Sequence, residues 1–106
     1  MASAGLNRKD RQFIRGGAAQ AASLLRVVGN EQRMLVLCLL IEYGEMTVGA
    51  ILEQVPLSPS ALSQHLAKMR DEGLVTFRRE SQTLYYRLDN PDVETLMTTI
   101  KAMFCH

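Results

Sequence analysis

The segment Ser58 to Gly73 begins and ends with residues that mark a helix, and it runs straight into two strand-like segments. Ser58 can accept a hydrogen bond from a free backbone N–H, Pro59 suits the first helical position because its missing N–H costs nothing there, and Gly73 supplies the stop. Turning about 100° per residue from Leu62, the side chains of Leu66 and Met69, with Gly73, fall on one side. Ser60, Gln64, Ala67, Lys68 and Asp71 fall largely opposite, so one face packs and the other is small and polar. Leu74 to Glu80 and Thr83 to Leu88 are rich in valine, threonine and aromatic residues and are joined only through Ser81-Gln82, which predicts a β-hairpin. A helix that feeds directly into a hairpin leaves few folds open.

The remaining elements narrow the choice. A helical pattern carrying Phe13, Ile14, Ala18, Ala21, Ala22, Leu25 and Val28 extends from about Asp10 to Val28, with Gly16-Gly17 as a weak point. Asn30 can cap a second helix whose stretch Met34 to Ile41 is almost wholly apolar, the mark of a central helix, ending near Gly44. Thr47 can cap a short third helix packing through Val48, Ile51, Leu52 and Val55, and Val55-Pro56-Leu57 turns into the Ser58 helix. Asn90-Pro91 opens a last helix, with Asp92 and Glu94 complementing its dipole and Val93, Leu96, Met97, Ile100, Met103 and Phe104 recurring at three- and four-residue steps. The predicted architecture is mainly α with a β-hairpin wing, a winged helix-turn-helix.

At 106 residues and 47% hydrophobic content the chain suits one compact domain, assigned to residues 10–106, behind a flexible basic tail over 1–9. No run of about 18 apolar residues and no signal peptide is visible, so a cytoplasmic protein is expected. A formal charge of +1 selects no partner, but its distribution does. Arg8, Lys9, Arg11 and Arg15 gather near the start, and Lys68, Arg70, Arg78, Arg79 and Arg87 gather in the helix–hairpin block, with Glu42, Glu45 and Glu53 between them.

The polar face of the Ser58 helix has the chemistry of a major-groove reader. Gln64 can pair its amide with adenine, Ser60 and Ser63 can bond bases or phosphates, and Ala67 leaves room for a thymine methyl, with His65 alongside. Lys68 and Arg70 suit phosphates better than bases. The hairpin can grip the backbone or the minor groove with Arg78, Arg79, Gln82 and Thr83. A polar helix face or two hairpin arginines are ordinary surface when met separately; their succession is the specific signal. The apolar stripe of the last helix, with Phe13, Ile14, Ala18 and Leu25 of the first, predicts a homodimer presenting two reader helices to a palindromic site on double-stranded DNA.

The segment Ser60-Ala61-Leu62-Ser63-Gln64-His65-Leu66-Ala67-Lys68-Met69-Arg70-Asp71-Glu72-Gly73-Leu74-Val75 and the wing Arg78 to Leu88 resemble the ArsR-type winged-helix repressors, over nearly the whole chain past residue 15 or so. The resemblance implies a homodimeric transcriptional repressor that releases or alters DNA binding when an inducer acts. Glu45-Met46-Thr47-Val48-Gly49 lacks the cysteines with which many members bind metal, and Asp92 to Phe104 lacks the histidine of the sites others carry on the last helix. A metal would depend on Cys38, Cys105 and His106, a poor set for zinc, so neither metal nor cofactor is expected.

A cysteine in an apolar helix is ordinarily an inert core residue. One cysteine in the second helix and one at the end of the last, however, resembles the two-cysteine, sulfide- and redox-responsive branch of the same family. That resemblance implies that Cys38 and Cys105 become linked within one subunit by a persulfide, polysulfide or oxidant. Helix axes pack about 8–10 Å apart whereas a disulfide needs Cα atoms within about 7 Å, so a bridge with extra sulfur atoms would strain the pair less. Metal response and a winged-helix protein-interaction module are the alternatives. A thiol enzyme is not, because neither His65 nor His106 is placed to serve as an activating base.

Overall fold

A computed structural model describes residues 5–105; the first four residues of the expected tail, and His106, lie outside it. The elements run α1 (Arg8–Gln12), a π-helical turn (Phe13–Gly17), α2 (Ala18–Val28), α3 (Glu31–Tyr43), β1 (Met46–Thr47), α4 (Val48–Leu52), α5 (Pro59–Asp71), β2 (Val75–Glu80), β3 (Thr83–Leu88) and α6 (Pro91–Phe104). This is the expected helical domain with a small antiparallel wing.

Most helix starts follow the predicted caps. The side chains of Asn30, Thr47, Ser58 and Asn90 accept from the backbone N–H groups of Arg33, Ala50, Ala61 and Asp92. The first helix begins earlier than expected. Asn7 Oδ1 accepts from Asp10 N at 2.8 Å while Asp10 Oδ2 accepts from Asn7 N at 3.4 Å, a capping box that puts Arg8 and Lys9 in the helix. Gly16-Gly17 does not break the helix. It sits in a π turn, closed by Ala18 N donating to Phe13 O, so α1 and α2 run on as one rod. A Cβ on Gly17 would come within 3.1 Å of Phe13 Cδ1.

The end of α5 carries the most consequential turn. Leu74 N donates to Met69 O at 2.8 Å and Gly73 N to Arg70 O at 3.0 Å, the double closure of a Schellman motif, with Gly73 in the left-handed region at φ +78°. Any other residue there would strain the step that launches β2 from α5. The sheet order is β1-β3-β2, with Met46 opposite Tyr86 and Phe77 opposite Tyr86. The hairpin turns at Ser81-Gln82, where Ser81 takes φ +57° in place of the usual glycine.

One core holds the described residues together. Leu62, Leu66 and Met69 of α5 are fully buried with Val36, Leu37 and Leu40 of α3, Ile51 of α4, Leu74 and Val75 at the root of the wing, and Val93 of α6. Each such side chain contributes about 1.5–3 kcal/mol through removal from water. The apolar run of α3 is only partly central: Leu35 and Tyr43 are exposed, and Cys38 is half-buried. The α6 stripe is also divided. Val93 and Met97 are buried in the chain's own core and are not free to meet a second chain, Leu96 is half-buried against that core, and Met103 and Phe104 are exposed.

Candidate nucleic-acid interface

α4 and α5 form the helix-turn-helix, and the buried Leu62–Leu66–Met69 edge fixes the rotation of α5. Ser60, Ser63, Gln64, Ala67 and Lys68 are consequently all exposed, as the sequence pattern requires. Ser60 Oγ lies 3.4 Å from Ser58 Oγ, and Lys68 Nζ lies 3.6 Å from Glu72 Oε2 with both side chains well exposed. A pair of that kind contributes about 0–1 kcal/mol, and Lys68 can exchange Glu72 for a phosphate at little cost. Ser63 and Gln64 have no side-chain hydrogen bond among the described residues, so their donors and acceptors are free to read.

The two flanks of this face differ. On the wing side, the Arg70 guanidinium lies 5.1 Å from the centre of the Phe77 ring, joining α5 to β2, while the Phe77 and Tyr86 rings meet at a tilt of 54° with centres 5.3 Å apart. Arg79, Gln82 and Thr83 are exposed along the hairpin and its turn.

Arg78 departs from expectation. Its Nε donates to Glu45 Oε2 at 2.9 Å, Nη2 to Glu45 Oε1 at 3.0 Å and Nη1 to Glu80 Oε2 at 2.6 Å, and the guanidinium lies 4.3 Å from the centre of the Tyr85 ring. Two carboxylates therefore engage it, so that in this chain alone it ties β2 to Glu45. The same bonds hold the Glu45 carboxyl below its ordinary pKa. Arg79, one residue on, has no such partner among the described residues and, like Arg87 on β3, is an unpaired cation of the wing.

His65 is also engaged. It is half-buried on the edge of α5, and its Nδ1 accepts from Arg33 Nε at 3.1 Å while Arg33 Nη1 donates to the Val27 carbonyl at 3.2 Å. The bond fixes the neutral tautomer, leaving Nε2–H as the ring's only donor. Arg33 and Glu45 are the positioning residues that sequence reasoning missed; they lie 32 and 33 positions from the groups they hold, beyond any local pattern.

Burial, and then the charge of Arg33, hold the His65 pKa below its ordinary 6.5. The unfolded chain then takes up a proton before the folded one does as pH falls. The stability involved is fully present above pH 6.5 and is lost as pH drops through that value to the folded pKa. In thermal unfolding between pH 7.5 and about 5, His65→Asn, which keeps an acceptor near Nδ1 but cannot titrate, should lose less stability than wild type. Parallel curves would mean that His65 does not carry this dependence.

At the other end of the domain, Cys38 and Cys105 are both free thiols, and Cys105, the residue capping α6, is exposed. A small pocket of about 100 Å³ between α3 and α6 is lined by Cys38, Ile41, Glu42, Met97, Thr98 and Lys101. Burial pushes the Cys38 pKa up, the Lys101 ammonium pulls it back, and a thiolate at Cys105 adds to the rise. Among the described residues no three His, Cys, Asp or Glu side chains converge as metal ligands. No helix there is long and apolar enough to cross a membrane.

Comparison with known proteins points the same way. Residues 30–76 match the family described as bacterial regulatory protein, arsR family. The transcriptional activator HlyU of Vibrio cholerae is 38% identical over 94 residues, 89% of this chain and 86% of that protein. The regulator YgaV of Escherichia coli is 38% identical over 87% of this chain and 93% of its own length. Among solved structures, reduced HlyU from Vibrio cholerae superposes with a TM-score of 0.82 at 38% identity, covering 90% of this chain and 99% of that one. The transcriptional repressor BigR from Xylella fastidiosa gives 0.83 at 30% identity, covering 91% and 97%.

Proposed function

Because this chain belongs to the ArsR family of bacterial regulatory proteins, and is accordingly a DNA-binding transcriptional regulator and not an enzyme, we propose that it is a homodimeric repressor with a thiol switch. In this reading α5 enters the major groove of a palindromic operator, with Ser60, Ser63 and Gln64 against base edges and Lys68, Arg70 and Arg79 on phosphates. The observation that carries it is the exposed polar face of α5, on which Ser63 and Gln64 are unpaired among the described residues, turned outward by a fully buried opposite face.

Dimerisation is supported by what the single chain leaves uncovered. Phe13 is 54% exposed, Ile14 62% and Phe104 74%, with Leu25 and Met103 similarly open. The radius of gyration is 16.6 Å, against roughly 13 Å for a compact domain of this length. A second copy seated along α1, α2 and the end of α6 removes those side chains from water and brings two reader helices to one DNA face. Ala18 lies on the same exposed rod and Ile100 is half-buried at the edge of the contact, whereas Val93 and Met97 take no part.

The thiol switch is supported by two free thiols, Cys38 beside Lys101 in the pocket between α3 and α6 and the exposed Cys105 at the end of α6. Cys105 is exposed and reacts first: its thiolate attacks a polysulfide sulfur, one S–S bond breaks, and a shorter hydropolysulfide leaves. Cys38, giving up its proton beside Lys101, then attacks the penultimate sulfur of the chain on Cys105 and expels hydrosulfide. Both thiols are oxidised, the polysulfide is reduced, and a sulfur bridge ties the end of α6 to α3. Because α6 also carries the proposed dimer contact, the tie alters the spacing of the reader helices.

Affinity for duplexes selected from a random pool should fall at least tenfold when wild type is treated with polysulfide, whereas Cys38→Ser should respond little. Equal responses would return Cys38 to a packing role. A protein that selects no duplex sequence at all would instead be an interaction module.

A further inference from the structure

We infer that the cleft between α2, the start of α3 and α5 is a second phosphate-holding site for duplex DNA, on the flank of the reader helix opposite the wing. The inference rests on the DNA-reading function proposed above. The cleft encloses about 130 Å³ and is lined by Ser23, Arg26, Val27, Arg33, Lys68 and Glu72. Three cations face one carboxylate, which leaves two positive charges without a counter-charge in the cleft.

The three cations differ in how firmly they are held. Arg33 is pre-oriented by two neutral acceptors, the Val27 carbonyl at 3.2 Å and His65 Nδ1 at 3.1 Å. Neither partner cancels its charge, and the rest of its donor fork stays available for an anion. Arg26 Nη2 reaches only Ser23 Oγ, at 3.4 Å, and forms no ion pair among the described residues. Lys68 leans on Glu72 at 3.6 Å, a loose exposed pair. One fixed and two adaptable cations with a hydroxyl beside them suit an oxyanion such as a phosphate group rather than an apolar ligand.

Position selects DNA as the source of that phosphate. Lys68 lies one turn from Gln64, about 40° around α5, and Arg33 bonds directly to the same helix. An α-helix with its side chains is about 10–12 Å across and the major groove about 12 Å wide, so a seated helix has a sugar-phosphate strand along each flank. Arg70 and Arg79 face one strand. The Arg26–Arg33–Lys68 cleft faces the other, so the reader helix is gripped from both sides.

Fluorescence anisotropy with a selected and a scrambled duplex, across a series of salt concentrations, tests this on wild type and Arg26→Gln. Arg26 is exposed, so its replacement should leave thermal unfolding unchanged. The slope of log affinity against log salt should become shallower by about one unit per bound subunit, with the same proportional loss on both duplexes. Wild-type binding with an unchanged slope in Arg26→Gln overturns the cleft as a DNA contact while leaving the reader helix intact. Failure of wild type to bind either duplex overturns the reading beneath it. Calorimetry with inorganic phosphate separates the sources: saturable phosphate binding by wild type, combined with an unchanged DNA slope in the variant, would make the cleft a free-anion site and overturn the inference.

Discussion

Leu66→Ala should cost about 2–5 kcal/mol of folding stability, because Leu66 is 1% exposed and has Leu62 and Met69 as its neighbours on the buried edge of α5. A domain of this size has about 5–15 kcal/mol in total, so the variant should approach the limit of folding. The loss has two parts: the transfer energy of the missing methyl groups, and the cavity left where α5 meets the core. Function should suffer beyond stability, since the same edge sets the rotation that turns Ser60, Ser63 and Gln64 outward. Urea unfolding should show a lowered midpoint with an unchanged slope. A midpoint within about 0.5 kcal/mol of wild type would mean that α5 is not anchored as described.

Gln64→Ala should behave in the opposite way, leaving stability within about 0.5 kcal/mol and removing base discrimination. A good amide–base pair is worth about 1–3 kcal/mol of discrimination, so affinity for the selected duplex should drop by roughly 5- to 150-fold per half-site. Affinity for scrambled duplex should hardly change, because that binding depends on phosphate charge. An equal loss on both duplexes would place Gln64 on the backbone instead of a base.

The elements that could be read from the sequence are those with local causes. Ser58, Pro59 and Gly73 announce α5, and Asn30, Thr47 and Asn90 cap their helices as expected, because a cap and the N–H it satisfies lie within three residues. What escaped depends on distant partners. The arginine pair of the hairpin looks alike in sequence, yet the fold brings Glu45 to Arg78 and, among the described residues, gives Arg79 no carboxylate. His65 reads as a base contact until Arg33 arrives at its Nδ1. Helical periodicity likewise finds the stripe on α6 but not its division, since a 3.6-residue repeat reports that a face is apolar and not which surface covers it. Val93 and Met97 go to the chain's own core, and Met103 and Phe104 lie beyond its reach.

The central claim is that α5 and the tip of the wing are the surface that reads DNA. Its most direct test is an NMR titration of the amide-assigned protein with a selected duplex, at moderate salt and under reducing conditions. Amide shifts should move most across Ser60–Lys68 and Arg79–Thr83. Changes confined to α1 and α6, with those two segments silent at saturation, would contradict the assignment.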